Sequence, residues 1–303
     1  MSSPTWTDQA DAECRLLAKL ALAEDVAAGV DCTTESIVDR SIMASAAFVS
    51  RDAGVVSGLR PAQVVIELYS EELSIDVKIP DGGSVEPGMT IAEINGPAAD
   101  VLTVERTCLN FMGRLSGIST LASRFVAETT GTSAIVLDTR KTTPAWRHLE
   151  KYAVKCGGAE NHRIGLYDAI LIKDNHLAFA SSQVDKQSIG WAVGKARDWI
   201  NENLDRLPNR ESTIVQLEVD NLDQFAEALK LPLDIVLLDN MSNSQLEQAV
   251  KMRDEAGVKV LLEASGGVSL NTIGKIAQTG VDRISSGALT HSATNFDIGL
   301  DWL

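Results

Sequence analysis

Residues 133–141 read SAIVLDTRK, an apolar run that breaks off at an acid, a threonine and two adjacent cations. The same grammar recurs in AILIKDN (169–175), TIVQLEVDN (213–221), LDIVLLDN (233–240), VKVLLEASGG (258–267) and VDRISSGAL (281–289). Each run has the length of a buried strand, while Leu222–Lys230, Ser244–Glu255 and Leu270–Gln278 between the later runs have helical spacing. Strand alternating with helix predicts a parallel sheet with crossovers of one hand. Such a series suits a β/α barrel or a large part of one; an open doubly wound sheet is the alternative.

The ends of these runs carry the chemistry. In order they offer Asp138, Arg140 and Lys141; Lys173 and Asp174; Glu218 and Asp220; Asp239; Glu263 and Ser265; Ser286 and Gly287. In a parallel barrel such ends converge on one face, where catalytic groups sit. An unpaired charge is costly at the mouth of a core, so Arg140 and Lys141 imply an anion there. Arg140, His162, Arg163 and Lys173 can jointly hold carboxylates or phosphates, arginine gripping planar carboxylates bidentately and lysine acting as a compact charge. Arg147, Lys151 and Lys155 read instead as surface ion-pair partners of Glu150 and Glu160. Glu218 and Asp239 end successive strands and can reach one Mg²⁺ bridged to a phosphate, although Asp220 and Asp239 also suit helix caps. EASGG (263–267) and SSGALTHS (285–292) set glycines and hydroxyls after the last two strands, where backbone N–H groups can cradle phosphate. Lys173 also permits Schiff-base chemistry, as in barrel aldolases.

Composition narrows the class. The 303 residues, 45% hydrophobic and 23% charged, are those of an ordinary globular protein with ample core. No apolar run approaches a bilayer span, and MSSPTWTDQADAEC lacks the basic and apolar regions of a secretory signal. Four scattered cysteines (Cys14, Cys32, Cys108, Cys156) without CxxC spacing read as reduced thiols, and the expected location is cytoplasmic. A formal charge of −15 argues against nucleic acid and anionic membrane as partners. The sign reverses between Arg140 and His176, which hold seven Lys and Arg against four Asp and Glu, and three of the four histidines. A cationic island in an acidic chain points to a small, multiply charged anion.

Upstream, Thr7 caps a helix predicted to run to about Ala28 and to end at Gly29, followed by DCTTES as a polar loop. Strands are expected at Ser45–Ser50, Gly54–Leu59 and Ser74–Ile79, with Pro61 opening a helix to Leu73. PDGGSVEPGMTIAEINGP reads as a small antiparallel unit, and helices are expected to Met112 and again from Ser116 to Thr129.

Taken together, LDTRKTTPAWRHLEKYAVKCGGAENHRIGLYDAILIKDNH, LEVDNL, LLDNMS, LEASGGV and GVDRISSGALTHS resemble the quinolinate phosphoribosyltransferase family. DCTTES, GVVSGL and VERTCLNFMGRLSGIST resemble its N-terminal half. The resemblance covers most of the chain. It implies an N-terminal α/β sandwich at 1–112, on which 293–303 packs, and an incomplete TIM-like β/α barrel at 113–292 carrying the active site. The implied reaction joins quinolinate to phosphoribosyl pyrophosphate, giving nicotinate mononucleotide, pyrophosphate and carbon dioxide in de novo NAD biosynthesis, with Mg²⁺ and no organic cofactor. By motif, Arg140, His162, Arg163 and Lys173 would bind quinolinate. Lys141 would meet the pyrophosphate, Glu218 and Asp239 would hold the metal-bound phosphoribosyl group, and Ser265, Gly266, Gly267, Gly287 and His291 would hold phosphate. Lys141, Lys173, Glu218 and Asp239 would be the catalytic set. Arg106, which by itself reads as a helix-surface partner of Glu105, would reach the quinolinate site of a neighbouring subunit in a head-to-tail homodimer or a higher oligomer.

Three positions depart from the family's pattern. Ala159 and Ala145 stand where glycine is usual, an alanine being strained wherever the backbone needs positive φ. Trp146 replaces a smaller residue, and the connection Ser181–Ser212 is longer than usual. Besides the transferase, three other readings fit the residues: a Lys173 Schiff-base aldolase, a non-catalytic anion-binding protein on the same scaffold, and a paralogue using another pyridine or pyrimidine acid, for which His162, Arg163 and Lys173 are the discriminator.

Overall fold

The structure, a computed structural model, describes residues 4–27, 29–181, 189–207 and 213–303. They fall into two compact units: Met1–Arg124 with Lys141–Ala159 and Leu289–Leu303, and Phe125–Arg140 with Glu160–Ala288.

The first unit opens with helix α1 (Asp8–Asp25), capped as expected by Thr7, whose hydroxyl accepts from the Ala10 N–H at 3.2 Å. It stops at Asp25; Ala28 lies outside the described residues. DCTTES is not a loop but the short helix α2 (Cys32–Ile37), because Asp31 accepts from the Thr34 N–H at 3.0 Å and caps it. Strand β1 (Met43–Ser50) follows, then only Gly54–Val55 (β2) of the expected Gly54–Leu59. Helix α3 (Leu59–Tyr69) starts before Pro61, which falls in the first turn, where its missing N–H costs nothing. After β3 (Ser74–Val77), the expected antiparallel unit divides. β4 (Ser84–Val85) pairs with β2, while β5 (Thr90–Pro97) lies between β1 and β3.

Helix α4 (Ala98–Glu128) runs 31 residues without the expected break near 113–115. Gly113 and Gly117 are there for a close approach instead. A Cβ on Gly117 would lie 2.0 Å from the Thr294 carbonyl oxygen, and one on Gly113 would lie 3.0 Å from that of Phe296. The segment 294–296 therefore lies directly on the helix, and the Phe296 N–H donates to the Gly113 carbonyl at 2.9 Å. Strand β12 (Ile298–Trp302) then pairs antiparallel with β1, giving the sheet order β12-β1-β5-β3. Phe48, Ile91 and Ile94 of this sheet, Met112, Leu115 and Ile118 of α4, and Leu149 are fully buried. Each such side chain stabilises by about 1.5–3 kcal/mol.

The second unit holds the predicted parallel series: β6 (Ile135–Leu137), β7 (Ile170–Ile172), β8 (Val215–Val219), β9 (Ile235–Asp239), β10 (Leu261–Ser265) and β11 (Arg283–Ser285). Helix α5 (Arg147–Cys156), part of the first unit, precedes β7 in the chain. Helices α6 (Asp174–Ser181), α7 (Ile189–Glu202), α8 (Leu222–Ala228), α9 (Asn243–Ala256) and α10 (Leu270–Ala277) lie between the later strands. Every pairing is parallel, in the order β6-β11-β10-β9-β8-β7. From β7 to β11 the order follows the chain, and β6 joins behind β11. A doubly wound sheet would reverse at a switch point; this order is that of an incomplete TIM-like barrel. Asn221, not Asp220, caps α8, and Ser242 with Gln245 forms a capping box on α9. Of the long connection Ser181–Ser212, the described parts are α7 and a 3-10 turn at Leu204–Arg206; the rest lies outside the described residues. No helix among the described residues is long and apolar enough to cross a membrane.

One buried acid in the first unit gives this fold a pH signature. Gly58 offers no capping side chain to α3, and Asp81 substitutes: its Oδ1 accepts from the Leu59 N–H at 3.1 Å, and Tyr152 donates to Oδ2 at 3.1 Å. Burial pushes the Asp81 carboxyl up to about 6, against these hydrogen bonds. The folded state thus keeps a proton that the unfolded chain loses near pH 4, and stability from this group falls as pH rises from about 4 to about 6. Asp81→Asn should flatten that slope in denaturant titrations by up to about 3 kcal/mol, an upper value because the residue keeps some solvent contact. A slope identical to the parent's would show that Asp81 does not hold the proton.

Candidate active site

Strand register decides which side chains share the barrel interior, since paired positions on neighbouring strands face the same side. Glu263 pairs with Leu237 and Arg283, Leu237 with Glu218, and Ser265 with Asp239. Ile172 pairs with Leu217, so Lys173 comes level with Glu218. The chain beyond α5 is fastened along β6 by a parallel bridge between Leu137 and Glu160, and the His162 N–H donates to Asp138 Oδ1 at 2.8 Å. This brings Arg163 beside Arg140.

Those two guanidinium groups are the anomaly of the site. Burial lowers the pKa of Arg163, and the like charge of Arg140 lowers it further. Arg163 Nη1 donates to the Ala169 carbonyl at 2.9 Å, while Arg140 Nε is buried with no hydrogen-bond partner among the described residues. A buried donor left unpaired beside a like charge is the arrangement an anion would satisfy.

His162 is engaged on both ring nitrogens. Nδ1 accepts from the Arg163 N–H at 2.7 Å, which assigns the proton to Nε2, 3.2 Å from Glu263 Oε1. Glu263 is completely buried, and its Oε2 accepts from Arg283 Nε at 2.9 Å. Burial would raise its carboxyl, but the hydrogen bond from His162 and the charge of Arg283 outweigh that and hold it below the ordinary range. Lys173 Nζ donates to Glu218 Oε2, and the lysine side chain is 42% exposed. The apolar setting that a Schiff-base lysine needs is absent. Asp239 Oδ2 accepts from Asn240 Nδ2 at 2.6 Å.

The expected phosphate turns follow β10 and β11. Gly266 and Gly267 both have positive φ (87° and 59°). A Cβ on Gly266 would meet Asn240 Oδ1 at 2.2 Å, whereas the corresponding side of Gly267 faces open space. The Asn240 N–H donates to the Ser265 carbonyl at 2.9 Å, tying the two strand ends together. Ser286 Oγ donates to the Val268 carbonyl at 2.9 Å, so Gly287 leads a turn anchored to its neighbour.

Lys141, His291 and Arg106 belong to the first unit. Lys141 is exposed, and its carbonyl accepts from Thr290 Oγ1 at 2.8 Å, which links it to the residue preceding His291. Arg106 is exposed on α4 beside buried Thr107 and Cys108. Glu150 and Lys151 are not surface residues, as the sequence suggested, but are 0% and 1% exposed. Glu150 pairs with Arg114 at 2.7 Å. Of the three departures, Ala159 is unstrained: its φ is not positive, and it packs in the core. Ala145 is the residue that adopts positive φ, at 64°. Trp146 stacks on Phe111 with ring centroids 4.9 Å apart. Glu263 was read only as one strand-end acid among several and Arg283 only as a strand residue; their alternation with Leu262, Ala264 and Ile284 was the available sign that they face inward.

Sequence comparison accounts for both halves. The model of the quinolinate phosphoribosyl transferase C-terminal domain matches residues 118–301, and that of the N-terminal domain matches 31–116. The nicotinate-nucleotide pyrophosphorylase [carboxylating] of Mycobacterium leprae is 39% identical over 286 residues, 93% of this chain and 94% of that protein. The probable enzyme of the same name from Bacillus subtilis is 36% identical over 92% of this chain and 89% of its own. The solved nicotinate-nucleotide pyrophosphorylase of Francisella tularensis superposes with a TM-score of 0.86 at 35% identity, over 100% and 99% of the two chains.

Ala145 offers a direct check of the loop after Lys141. Left-handed backbone costs a non-glycine residue about 1–2 kcal/mol, and an added glycine returns about 0.4–1 kcal/mol of that to unfolded-state entropy. Ala145→Gly should therefore stabilise by about 0.5 kcal/mol in denaturant titrations, and Ala145→Val should destabilise. Loss of stability on introducing glycine would contradict the conformation described.

Proposed function

The chain belongs to the quinolinate phosphoribosyltransferase family and carries its decarboxylating activity, forming nicotinate mononucleotide for NAD biosynthesis; we propose that the residues above divide that reaction as follows. Quinolinate is held by Arg140 and Arg163 through its two carboxylates, with Lys173 beside them. The single observation that carries this is the like-charge pair with the unpartnered Arg140 Nε. For His162 the bonding supports a role through Arg163, whose backbone N–H it accepts. Lys141, Ser265, Gly266, Gly267, Gly287 and His291 take the phosphates of phosphoribosyl pyrophosphate.

The donor set fits a magnesium ion brought with that substrate. Glu218 and Asp239 supply hard carboxylate oxygens on neighbouring strands, and no cluster of three or more His, Cys, Asp or Glu among the described residues forms a cage without substrate. Held by these two acids, the ion would draw off charge gathering on the leaving pyrophosphate.

In the reaction, the pyridine nitrogen bonds to ribose C1 as the bond from C1 to pyrophosphate breaks, with its electron pair leaving on pyrophosphate. Glu218 and Asp239 offset the positive charge developing on the ribose, and Lys141 the negative charge on the departing group. The carboxylate at ring position 2 then leaves as neutral carbon dioxide. Its bonding pair stays at the ring carbon beside the now cationic nitrogen, and that carbon takes a proton. Lys173, fixed by Glu218, is placed for electrostatic work on the carboxylates.

A homodimer sharing its sites is part of the proposal. Exposed Arg106 supports it, as do Leu16 and Leu20, 59% and 60% exposed one turn apart on α1.

The direct assay is nicotinate mononucleotide and carbon dioxide formation from quinolinate and phosphoribosyl pyrophosphate, which should depend on magnesium. Nicotinic acid, with one carboxylate, should be turned over at least a hundredfold less well in kcat/KM, because it leaves a buried cation unpaired. Comparable values for the two acids would sink the two-arginine reading.

Arg106 is tested by mixing. Arg106→Ala and Lys173→Ala should each be nearly inactive, yet regain about one quarter of parental activity when unfolded and refolded together. Half the dimers are then mixed, and each mixed dimer has one undamaged site. Activity no higher than the mean of the two variants would confine Arg106 to its own chain.

A further inference from the structure

The loop bearing Lys141 is tied to a buried ion pair that the reaction itself does not use. Glu150, wholly buried on α5, accepts from Arg114 Nη2 at 2.7 Å. The same carboxylate takes the Thr143 hydroxyl at 2.8 Å and the Thr143 N–H at 3.2 Å. Arg114 in turn donates to the carbonyls of Thr290 at 2.7 Å and Ala293 at 3.1 Å. Thr290, also wholly buried, closes the circuit by donating to the Lys141 carbonyl at 2.8 Å. The bonds therefore run from Lys141 through Thr290, Arg114 and Glu150 to Thr143, two residues beyond the start.

Stability alone is a poor reason for this arrangement. A buried ion pair is often no better than apolar residues of the same volume. Here its hydrogen bonds are spent on the main chain just beyond Lys141 and on carbonyls either side of His291. The circuit joins segments that are distant in sequence, 141–143 and 290–293, and fixes the backbone at each. We propose that Glu150, Arg114, Thr143 and Thr290 form a positioning ring that holds Lys141 and His291 in fixed register for the phosphates of phosphoribosyl pyrophosphate. This rests on the proposed roles of Lys141 and His291. The ring touches neither substrate; it acts through the backbone that carries those two side chains.

Thr290→Val keeps the shape and removes only the hydroxyl donor. Misplacing a binding group by even an ångström costs up to about a hundredfold. The valine variant should accordingly lose ten- to about a hundredfold in kcat/KM for phosphoribosyl pyrophosphate, with KM for quinolinate within about twofold of the parent. Thr290→Ser should restore activity. In a Lys141→Ala background the same valine should have a smaller further effect than in the parent, limited to the part that passes through His291. Parental kinetics for Thr290→Val beside a crippled Lys141→Ala would overturn the ring and leave the lysine's role intact. A full additional loss in the double variant, or equal damage to both substrates' KM, would also overturn it. A near-normal Lys141→Ala would instead bring down the underlying site reading. If Thr290→Val does not fold, Thr143→Val decides: Thr143 is exposed, so its loss should spare the fold while producing the same selective defect.

Discussion

Two arginines held side by side repel, and the barrel mouth is organised around keeping them there. Arg140 sits just past the end of β6, and Arg163 is brought to it by the bridge of Glu160 to Leu137 and the bond from His162 to Asp138. Neither guanidinium gains from the neighbour: burial and the charge of Arg140 lower the pKa of Arg163, and Arg140 Nε is left without a partner among the described residues. Such a cost persists only where the surrounding fold over-determines it. Here the fold does so with ladder hydrogen bonds and a buried acid, and in the proposed site a substrate with two carboxylates would turn the repulsion into binding energy.

The buried acids share a logic. Glu263 inside the barrel takes an arginine on one oxygen and faces the histidine behind Arg163 with the other. Glu150 in the first unit takes Arg114 and the threonine beyond Lys141. In each case a carboxylate that solvent does not reach is neutralised by an arginine and aimed at the backbone or ring next to a cation of the proposed site. Removing either acid would strand an arginine, so the two pairs resist piecemeal change.

Much of the barrel was legible because buried parallel strands announce themselves as short apolar runs, and each of the six runs became a strand. The candidate residues at the strand ends were legible for the same reason: they end those runs. Three things were not. DCTTES looked like a loop because its polar residues hide a cap, though Asp31 followed three residues later by Thr34 was a usable signal. Helix α4 looked interrupted because its glycines serve a contact from residues 294–296, which no local pattern reveals. Glu150 looked like a surface acid because helical spacing does not say that a cation from another helix, Arg114, meets it. For Ala145 and Ala159, both standing where glycine is usual, only backbone angles could show which one is strained.

The strand order has a further consequence for how the chain is made. β1 needs β12 on one side, and β6 needs β11, its one partner in the sheet. Synthesis proceeds from the N-terminus, so both early strands wait, one edge open, for residues 283–302 to leave the ribosome. Neither sheet can be completed as its first strands emerge, and long-range closure of this kind is slow. The barrel's outer strands β6 and β7 span only three residues each, which leaves little free backbone for a neighbouring nascent chain to pair with during that wait.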